Sequence, residues 1–188
     1  MPTFYEGKPI ATVEQSLREP DYAAAYYAAQ STVSLLRRKE VLSGICLTVA
    51  VVGGSLIPLF YRTPGLLGGL IAVCALGLGS ALLFFFVQPH DIRSWAGEIY
   101  RSNALLALPQ TITVYRDSIV AKSEKETFQE YWTDFARCVE TRDAFVLVGG
   151  RERWILTVQK EGLEKSERET LSAHFQDAFA RRYQKFGR

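Results

Sequence analysis

The sequence has few of the side chains from which metal sites and nucleophilic active sites are built. Two histidines and three cysteines occur in 188 residues. They form neither a His-Glu-x-x-His nor a Cys-x-x-Cys motif, and no carboxylate stands at a metal-ligand spacing from His90 or His174. Cys138 has no histidine near it in the sequence that could act as its base. We therefore expect no metal, no cofactor and no catalytic residue, and we predict that the protein is not an enzyme.

An excess of one charge and a disulfide framework are also absent. Lysine and arginine number 22 against 20 aspartates and glutamates, which leaves a net charge of +2. Proteins that bind nucleic acid concentrate basic residues in a stripe, so this balance predicts no nucleic-acid partner. The cysteine count is odd, and Cys46 and Cys74 lie in apolar segments. We expect free thiols that serve as small hydrophobic side chains, which fits a reducing cytoplasmic face.

Two long stretches contain no aspartate, glutamate, lysine, arginine or histidine. These are residues 41–61 and 66–87. Each is about 20 residues long, and a helix that rises about 1.5 Å per residue then spans the roughly 30 Å hydrocarbon core of a bilayer. The first stretch begins too far into the chain for a signal peptide, and the second follows at once. The sequence predicts a transmembrane hairpin over residues 41–87, with two antiparallel helices joined by a tight turn.

The basic residues around these stretches predict the orientation of the hairpin. Only Arg62 lies between the two stretches. Close to the outer ends of the stretches, Arg37, Arg38 and Lys39 precede the first, and Arg93 and Arg101 follow the second. Loops rich in lysine and arginine stay in the cytoplasm, so we expect both termini to be cytoplasmic.

Small residues recur at helical spacing in both stretches and predict the contact between the two helices. Small side chains let helix backbones approach closely in lipid. The predicted contact face consists of Ser43, Ala50, Gly54, Gly68, Ala72, Ala75 and Gly79. The alternative is that glycine and alanine are simply common in membrane helices.

The N-terminal segment, residues 1–40, has a weak strand pattern over residues 9–17 and then an amphipathic helix. The helix opens at Pro20-Asp21, and one apolar stripe follows it. The stripe consists of Tyr22, Tyr26, Ala29, Val33 and Leu36. Three interpretations stay open: the helix lies on the membrane surface, extends the first span, or packs on the aqueous domain. Whether the segment adds a strand to that domain also stays open.

Residues 88–109 form the predicted connector. Proline disfavours helix for the residue before it, so Gln88-Pro89 should end the second span. A connector helix over residues 91–108 is then closed by Pro109.

From residue 110 the apolar period changes to two, and six short strands are predicted before a final helix. The strands cover residues 111–115, 118–122, 127–132, 137–141, 144–148 and 153–158. A capping box over Ser166 and Glu169 opens the helix. Its basic end is a candidate lipid-facing edge, and the alternative is compensation of the helix dipole. The basic residues are Arg181, Arg182, Lys185 and Arg188.

Six antiparallel strands capped by one helix resemble a small pleckstrin-homology-type barrel. Trp132 and Asp134 stand in a Tyr-Trp-Thr-Asp-Phe segment that matches a strand-ending Trp-Ser-Asp-Ile type of motif, and Lys160 ends a later strand. Gln159 replaces the proline usual before that lysine. Two spans followed by such a domain resemble the YcxB-like family of bacterial membrane proteins. The resemblance implies an α+β membrane protein of the bacterial cytoplasmic (inner) membrane, with a PH-like domain over residues 110–188. The family has no established activity, so the resemblance implies a fold and a topology but no chemistry.

The three motif residues are expected to be structural. Trp132 should close one end of the barrel core, and Asp134 should cap the bend after it. Lys160 should either pair with an acidic side chain or point to a ligand.

These observations predict a membrane-anchored, non-enzymatic cytoplasmic module for interaction, scaffolding or sensing. The alternative is an accessory subunit of a membrane enzyme or transporter, with a site completed by another chain. The expected partners are the lipid bilayer and an unidentified protein, and homo-oligomerisation stays open.

Overall fold

The structure, a computed structural model, describes residues 7–33 and 38–187. Its contacts divide the chain into two compact units. The β unit contains Met1–Ala29 and Trp95–Arg188, and the helical unit contains Gln30–Ser94. The β unit is therefore assembled from two separate stretches of sequence. Leu36, Arg37 and Arg188 lie outside the described residues.

Two apolar helices dominate the helical unit. They are α2, Lys39–Phe60, and α3, Pro64–Leu82. Both belong to helices long and apolar enough to cross a membrane. Large apolar side chains are exposed along both, among them Val51, Leu59 and Leu76. Helices in the core of a soluble protein bury such side chains, so length, composition and exposure together suggest membrane association.

The helix that contains α3 does not end at Pro89. A π-helical turn, Leu83–Val87, joins it to α4, Gln88–Ser102. Proline inside an α-helix lacks an N–H donor, and its ring clashes with the carbonyl four residues earlier. The Gln88 N–H donates to the Leu83 carbonyl five residues back, and this wider turn accommodates the proline. The predicted break in the helix at Gln88-Pro89 is therefore wrong.

The β unit contains two four-stranded sheets, with strand orders β1-β2-β3-β4 and β7-β6-β5-β8. Neighbouring strands are antiparallel except for the parallel pair β5 and β8. The strands are β1 Ala11–Gln15, β2 Gln110–Val114, β3 Ser118–Ser123, β4 Thr127–Tyr131, β5 Arg137–Glu140, β6 Ala144–Val148, β7 Ile155–Gln159 and β8 Tyr183–Lys185. The six predicted strands are confirmed as β2 to β7, and the short β8 was not predicted.

The N-terminal segment adds β1 to the first sheet. It pairs with β2 over its whole length, from Ala11 opposite Val114 to Gln15 opposite Gln110. The strand buries alternate side chains, so its inner face joins the core although the sequence alternation is weak. The N-terminal segment therefore does add a strand to the domain, which the sequence left open.

The sheets do not close into a barrel in the part of the chain that the structure describes. At one edge, the Gln15 side chain links β1 to β7 in place of backbone pairing. Its Nε2 donates to the Thr157 carbonyl at 2.7 Å, and its Oε1 accepts from the Gln159 N–H at 2.8 Å. At the other edge the chain bends between β4 and β5, and no hydrogen-bonded pairing joins these two strands among the described residues. The predicted closed barrel is therefore corrected to two sheets around one core.

Helix α1, Glu19–Ser31, packs within the β unit. The Tyr26 ring lies 5.0 Å from that of Trp154 and 5.4 Å from that of Trp95, and Tyr22 lies 6.0 Å from Tyr100. Of the three interpretations of this helix, packing on the domain that follows the apolar helices is confirmed. The predicted stripe does not extend to Val33, which follows the helix and is 42% exposed.

Helix α5, Lys165–Phe179, covers the core with Leu171, Phe175 and Phe179, which are at most 1% exposed. Its capping box consists of Glu164 and Glu167, in which each side chain accepts from the other residue's N–H. The predicted box at Ser166 and Glu169 is wrong because the helix begins before Ser166.

Candidate functional site

The contact between α2 and α3 is built around Gly77. A Cβ added there would lie 2.9 Å from the Cys46 carbonyl oxygen and 3.0 Å from the Ala50 Cβ. Cys74 donates its thiol to the Ala50 carbonyl at 3.3 Å. A Cβ on Gly53 would meet the Cys74 sulfur at 3.2 Å. Positions rise along α2 as they fall along α3, so the helices are antiparallel, and small residues allow the approach.

This contact uses a different face of α3 from the predicted one. A Cβ on Gly68 or Gly79 would meet nothing within 4 Å, and Ala72 and Ala75 are exposed. On α2, Ala50 is confirmed in the contact, and Gly54 lies at its border, 3.9 Å from the Cys74 sulfur. The Ser43 hydroxyl donates to the Lys39 carbonyl of its own helix at 2.5 Å. The predicted α3 face is therefore wrong: small residues lie on several faces of this helix, and their spacing alone does not select one.

Trp132 organises the end of the first sheet. It is 6% exposed and belongs to the hydrophobic core. Its indole N–H donates to the Arg116 carbonyl at 2.9 Å, and its ring meets that of Phe175 edge-on at 5.6 Å. A buried indole needs such a partner for its N–H. The structural role predicted for Trp132 in the core is confirmed, although the core is not that of a closed barrel.

Asp134 caps the bend after β4, as predicted. Its carboxylate accepts the Tyr131 N–H at 3.0 Å and pairs with Arg151 at 2.9 Å. Both contacts hold the turn between β4 and β5 in place.

His174 packs against Trp132, with ring centroids 5.6 Å apart. Burial lowers the pKa of the imidazole, although a hydrogen bond to the Tyr115 backbone and the charge of Asp177 act in the opposite direction. The Nε2 atom is buried without a hydrogen-bond partner. This atom is closed off from solvent, so it faces the packed interior beside Trp132 rather than an open surface.

A cleft of about 630 Å³ lies beside this pair of rings. It is formed by the turn between β2 and β3, the end of β4 and one face of α5. The lining residues are Arg116, Asp117, Tyr131, Trp132, Thr133, His174, Asp177 and Ala178. We call it the Trp132–His174 cleft. Asp134 and Lys160 do not line it, so of the residues selected from the sequence it brings together Trp132 and His174.

Glu140, on β5, is the centre of a second polar cluster. Its carboxylate accepts from Lys160 Nζ at 2.8 Å, from the Ser172 hydroxyl at 3.3 Å and from the Tyr183 hydroxyl, and lies 3.4 Å from Lys185 Nζ. We call these five residues the Glu140 cluster. It ties β5 to β8, to α5 and to the residue after β7. Lys160 therefore has the acidic partner that was one of its two predicted roles.

The Glu140 carboxylate is ionised over the whole physiological pH range. Burial by itself would raise its pKa, but hydrogen bonds from Lys160 and Tyr183 and the charges of Lys160 and Lys185 outweigh burial and lower the pKa to about 2. Burial and the same carboxylate raise the pKa of the Tyr183 hydroxyl, which stays protonated and donates. The single carboxylate is shared by two lysines, and the cluster has a structural role, linking these elements.

Glu130, on β4, is a third polar feature, and it is 1% exposed. Its Oε1 accepts the Glu152 N–H at 2.9 Å, which holds the turn between β6 and β7. A Cβ on Gly150 would lie 2.6 Å from Glu130 Oε2 and 2.7 Å from the Arg153 carbonyl oxygen, and because the second atom is backbone this turn requires a glycine. Burial raises the pKa of the Glu130 carboxyl despite the backbone hydrogen bonds that favour its charge.

The remaining predicted site residues are dispersed. Cys138 is buried, as expected of a small hydrophobic side chain, and burial raises its pKa. Arg182 donates to the Phe135 carbonyl at 2.8 Å and Lys185 belongs to the Glu140 cluster, so the predicted lipid-facing edge stays a prediction that depends mainly on the exposed Arg181. His90 is exposed on α4. The described residues contain no group of three or more His, Cys, Asp or Glu side chains that could hold a metal ion.

Comparison with protein-family models gives no match, and comparisons with curated proteins and with solved structures give none either.

Sequence reasoning missed Glu140, Glu130 and the acidic lining of the Trp132–His174 cleft. Glu130 lies on the inner face of β4. A glutamate at a strand position where the alternation predicts a buried apolar side chain is a signal that could have identified it. Asp117 and Asp177 lie 60 positions apart in the chain, and only the fold brings them to one cleft.

Proposed function

We propose that this protein is a membrane-anchored, non-enzymatic interaction module. Its two apolar helices insert into the bacterial cytoplasmic membrane as a hairpin, with both termini in the cytoplasm. The β unit is the aqueous part of a PH-like, YcxB-like protein and contacts an unidentified protein through the Trp132–His174 cleft. Self-association of the hairpin is compatible with this arrangement.

The observation that carries the proposal is the contrast between the two units. The exposed surface of α2 and α3 is apolar over a length that suits a bilayer. In the β unit, by contrast, the Glu140 carboxylate is paired internally, whereas the Trp132–His174 cleft is open and has exposed side chains of Asp117, Tyr131 and Asp177 in its lining. An open cleft with exposed polar and aromatic groups favours recognition.

The test is affinity purification of the full-length, detergent-solubilised protein, with identification of the chains and lipids that copurify. We expect at least one protein to be recovered with the wild type and lost with a Tyr131→Ala variant, which changes the exposed rim of the cleft. The matched control is Tyr61→Ala, an exposed tyrosine after α2. Partner recovery that is the same for both variants would contradict the role of the cleft.

The orientation is tested separately with alkaline-phosphatase reporters placed after Arg62 and after Arg188. The proposal expects activity only at the first position, outside the cytoplasm. Activity of the second fusion would reverse the orientation.

The second candidate function is an accessory subunit of a membrane enzyme or transporter. One observation favours it: His174 lies in the lining of an open cleft, where a second chain could use its imidazole for proton transfer. Copurification of an enzyme whose activity falls with His174→Gln but not with His90→Gln would support this candidate over a purely recognitional role.

A further inference from the structure

Two tryptophans are exposed next to one another on the surface of the β unit. Trp95 is 55% exposed and Trp154 is 42% exposed. Both indoles contact the ring of Tyr26, at centroid distances of 5.4 Å and 5.0 Å, and Tyr26 itself is buried. Because they share this neighbour, the three rings form one aromatic surface, which we call the Trp95–Trp154 patch. Single exposed apolar side chains are ordinary, whereas adjacent ones of this size indicate a contact surface.

Both indoles of the patch also have a hydrogen-bond donor to offer. The N–H of the buried Trp132 donates to the Arg116 carbonyl. By contrast, neither the Trp95 nor the Trp154 indole N–H donates to an acceptor in residues 7–33 and 38–187. A surface that suits the patch is therefore apolar and supplies oxygen acceptors at its edge.

The position of Trp95 on its helix points to such a surface. Helix α4 continues the apolar helix α3 through the π-helical turn, so that one helix runs from Pro64 to Ser102. Trp95 lies eight residues beyond Val87, where the stretch without charged residues ends, and this is about 12 Å along the helix. Helical side chains lean towards the N-terminus and cover the preceding turn, so the indole lies about 7 Å beyond the apolar stretch. The headgroup layer on each side of a bilayer is about 5–8 Å thick, which makes the Trp95 indole level with the headgroups of an inserted hairpin.

We propose that the Trp95–Trp154 patch contacts the headgroup layer of the bilayer that holds α2 and α3. The rings pack against the upper ends of the acyl chains, and the indole N–H groups donate to ester and phosphate oxygens, as tryptophans do in the aromatic belts of membrane proteins. Neutral lipids supply these acceptors, so this contact needs no anionic lipid, unlike the predicted basic edge at Arg181. The inference rests on the proposed membrane insertion and gives the β unit its own contact with the bilayer.

The experiment measures tryptophan emission of the full-length protein reconstituted into phosphatidylcholine vesicles. The lipid carries bromine, which quenches indoles on contact, near the headgroup end of one acyl chain, near its methyl end, or not at all. Two of the three tryptophans belong to the patch, and Trp132 is buried in the core. Bromine near the headgroup end should therefore remove about two thirds of the emission, if the three indoles emit equally. Bromine near the methyl end should remove much less.

Two variants assign the quenching to the patch. Trp95→Phe and Trp154→Phe should each reduce the quenched share to about one half, since one of two remaining indoles then contacts lipid. The double variant retains only Trp132, which serves as the control and should not be quenched at all. Both exchanged side chains are partly exposed, so the variants should fold, and unchanged melting temperatures verify this.

The outcomes separate this inference from the proposed function. Flotation of the vesicles after an alkaline carbonate wash reports insertion of the hairpin, and failure to float would overturn both. A protein that floats with neither indole quenched by bromine near the headgroups keeps its membrane anchor, and the docking of the patch is overturned. Quenching of Trp95 alone would overturn it too, because α4 then touches lipid without the β unit. Quenching that appears only when phosphatidylglycerol is added would assign the contact to the basic edge instead.

Discussion

At the residue scale, buried charges in the β unit differ in how completely they are paired. Glu140 has two lysines and two hydroxyls around it, and its pKa is lowered to about 2. Glu130 accepts from backbone N–H groups, has no ion pair among the described residues, and has a pKa that is raised by burial. The first carboxylate therefore stabilises the fold when ionised, whereas ionisation of the second opposes folding.

We predict that Glu140→Gln lowers the free energy of unfolding by about 2–3 kcal/mol at pH 7, because Lys160 and Lys185 lose their charged partner. The pKa of Glu140 is lower in the folded protein, so its contribution is complete above an ordinary glutamate pKa of 4.5 and is lost as the pH falls towards about 2. Denaturant unfolding at pH 7 and at pH 3 should show the difference between variant and wild type shrinking in acid.

The control for this prediction is Glu124→Gln, a change of the same chemistry in the exposed turn between β3 and β4. It should leave the stability within about 0.5 kcal/mol of the wild type. A Glu140 variant that behaves like this control would show that the cluster contributes nothing to stability.

At the scale of the element, the end of α5 has an unfavourable backbone conformation. Ala180 follows the helix with φ 45° and ψ −113°, a region that glycine adopts far more readily than alanine. Ala180→Gly should therefore raise the free energy of unfolding by about 1 kcal/mol. Ala173→Gly, at an exposed position inside the same helix, should lower it by about 1 kcal/mol. Thermal melting of the two variants gives opposite shifts if the conformation is as described, and a loss of stability in both would contradict it.

The helix pair leads to a second prediction at this scale. Gly77→Leu should separate α2 from α3, because even a Cβ there would lie 2.9 Å from the Cys46 carbonyl oxygen. Overpacking of this kind costs about 1–3 kcal/mol. The matched change Gly79→Leu points into open space and should be tolerated. Reaction of the native cysteines with a thiol dye during heating measures both variants, and equal melting temperatures would contradict the observed contact.

These elements also show what sequence reasoning could reach. Strands β2 to β7 were predictable within two residues, because alternation and short turns are local signals. Strand β8 has three residues and depends on the distant Glu140 cluster, so no local pattern marks it. The face of α3 that contacts α2 was predicted wrongly because small residues lie on several faces of this helix. The cleft was missed because its acidic side chains come from different elements.

At the scale of the whole molecule, the β unit needs both of its stretches of sequence. Strand β1 supplies one edge of the first sheet, and Gln15 bridges that edge to β7. Tyr22 and Tyr26 of α1 are buried at 6% and 4% exposure. A chain that begins at Trp95 would leave β2 unpaired on one side and remove these buried aromatic rings.

We therefore predict that residues 95–188 alone do not unfold cooperatively, whereas the same fragment joined through a Gly/Ser linker to residues 7–31 does. The added segment restores the β1–β2 ladder, the Gln15 bridge and the packing of Tyr26 on Trp154. A Gln15→Leu change in the linked fragment removes only the bridge, leaves the Thr157 carbonyl and the Gln159 N–H without it, and should cost about 1–3 kcal/mol. Circular dichroism melts of the three fragments decide the matter. A sharp, reversible transition for residues 95–188 alone would show that the N-terminal strand and helix are accessories to the fold rather than part of its core.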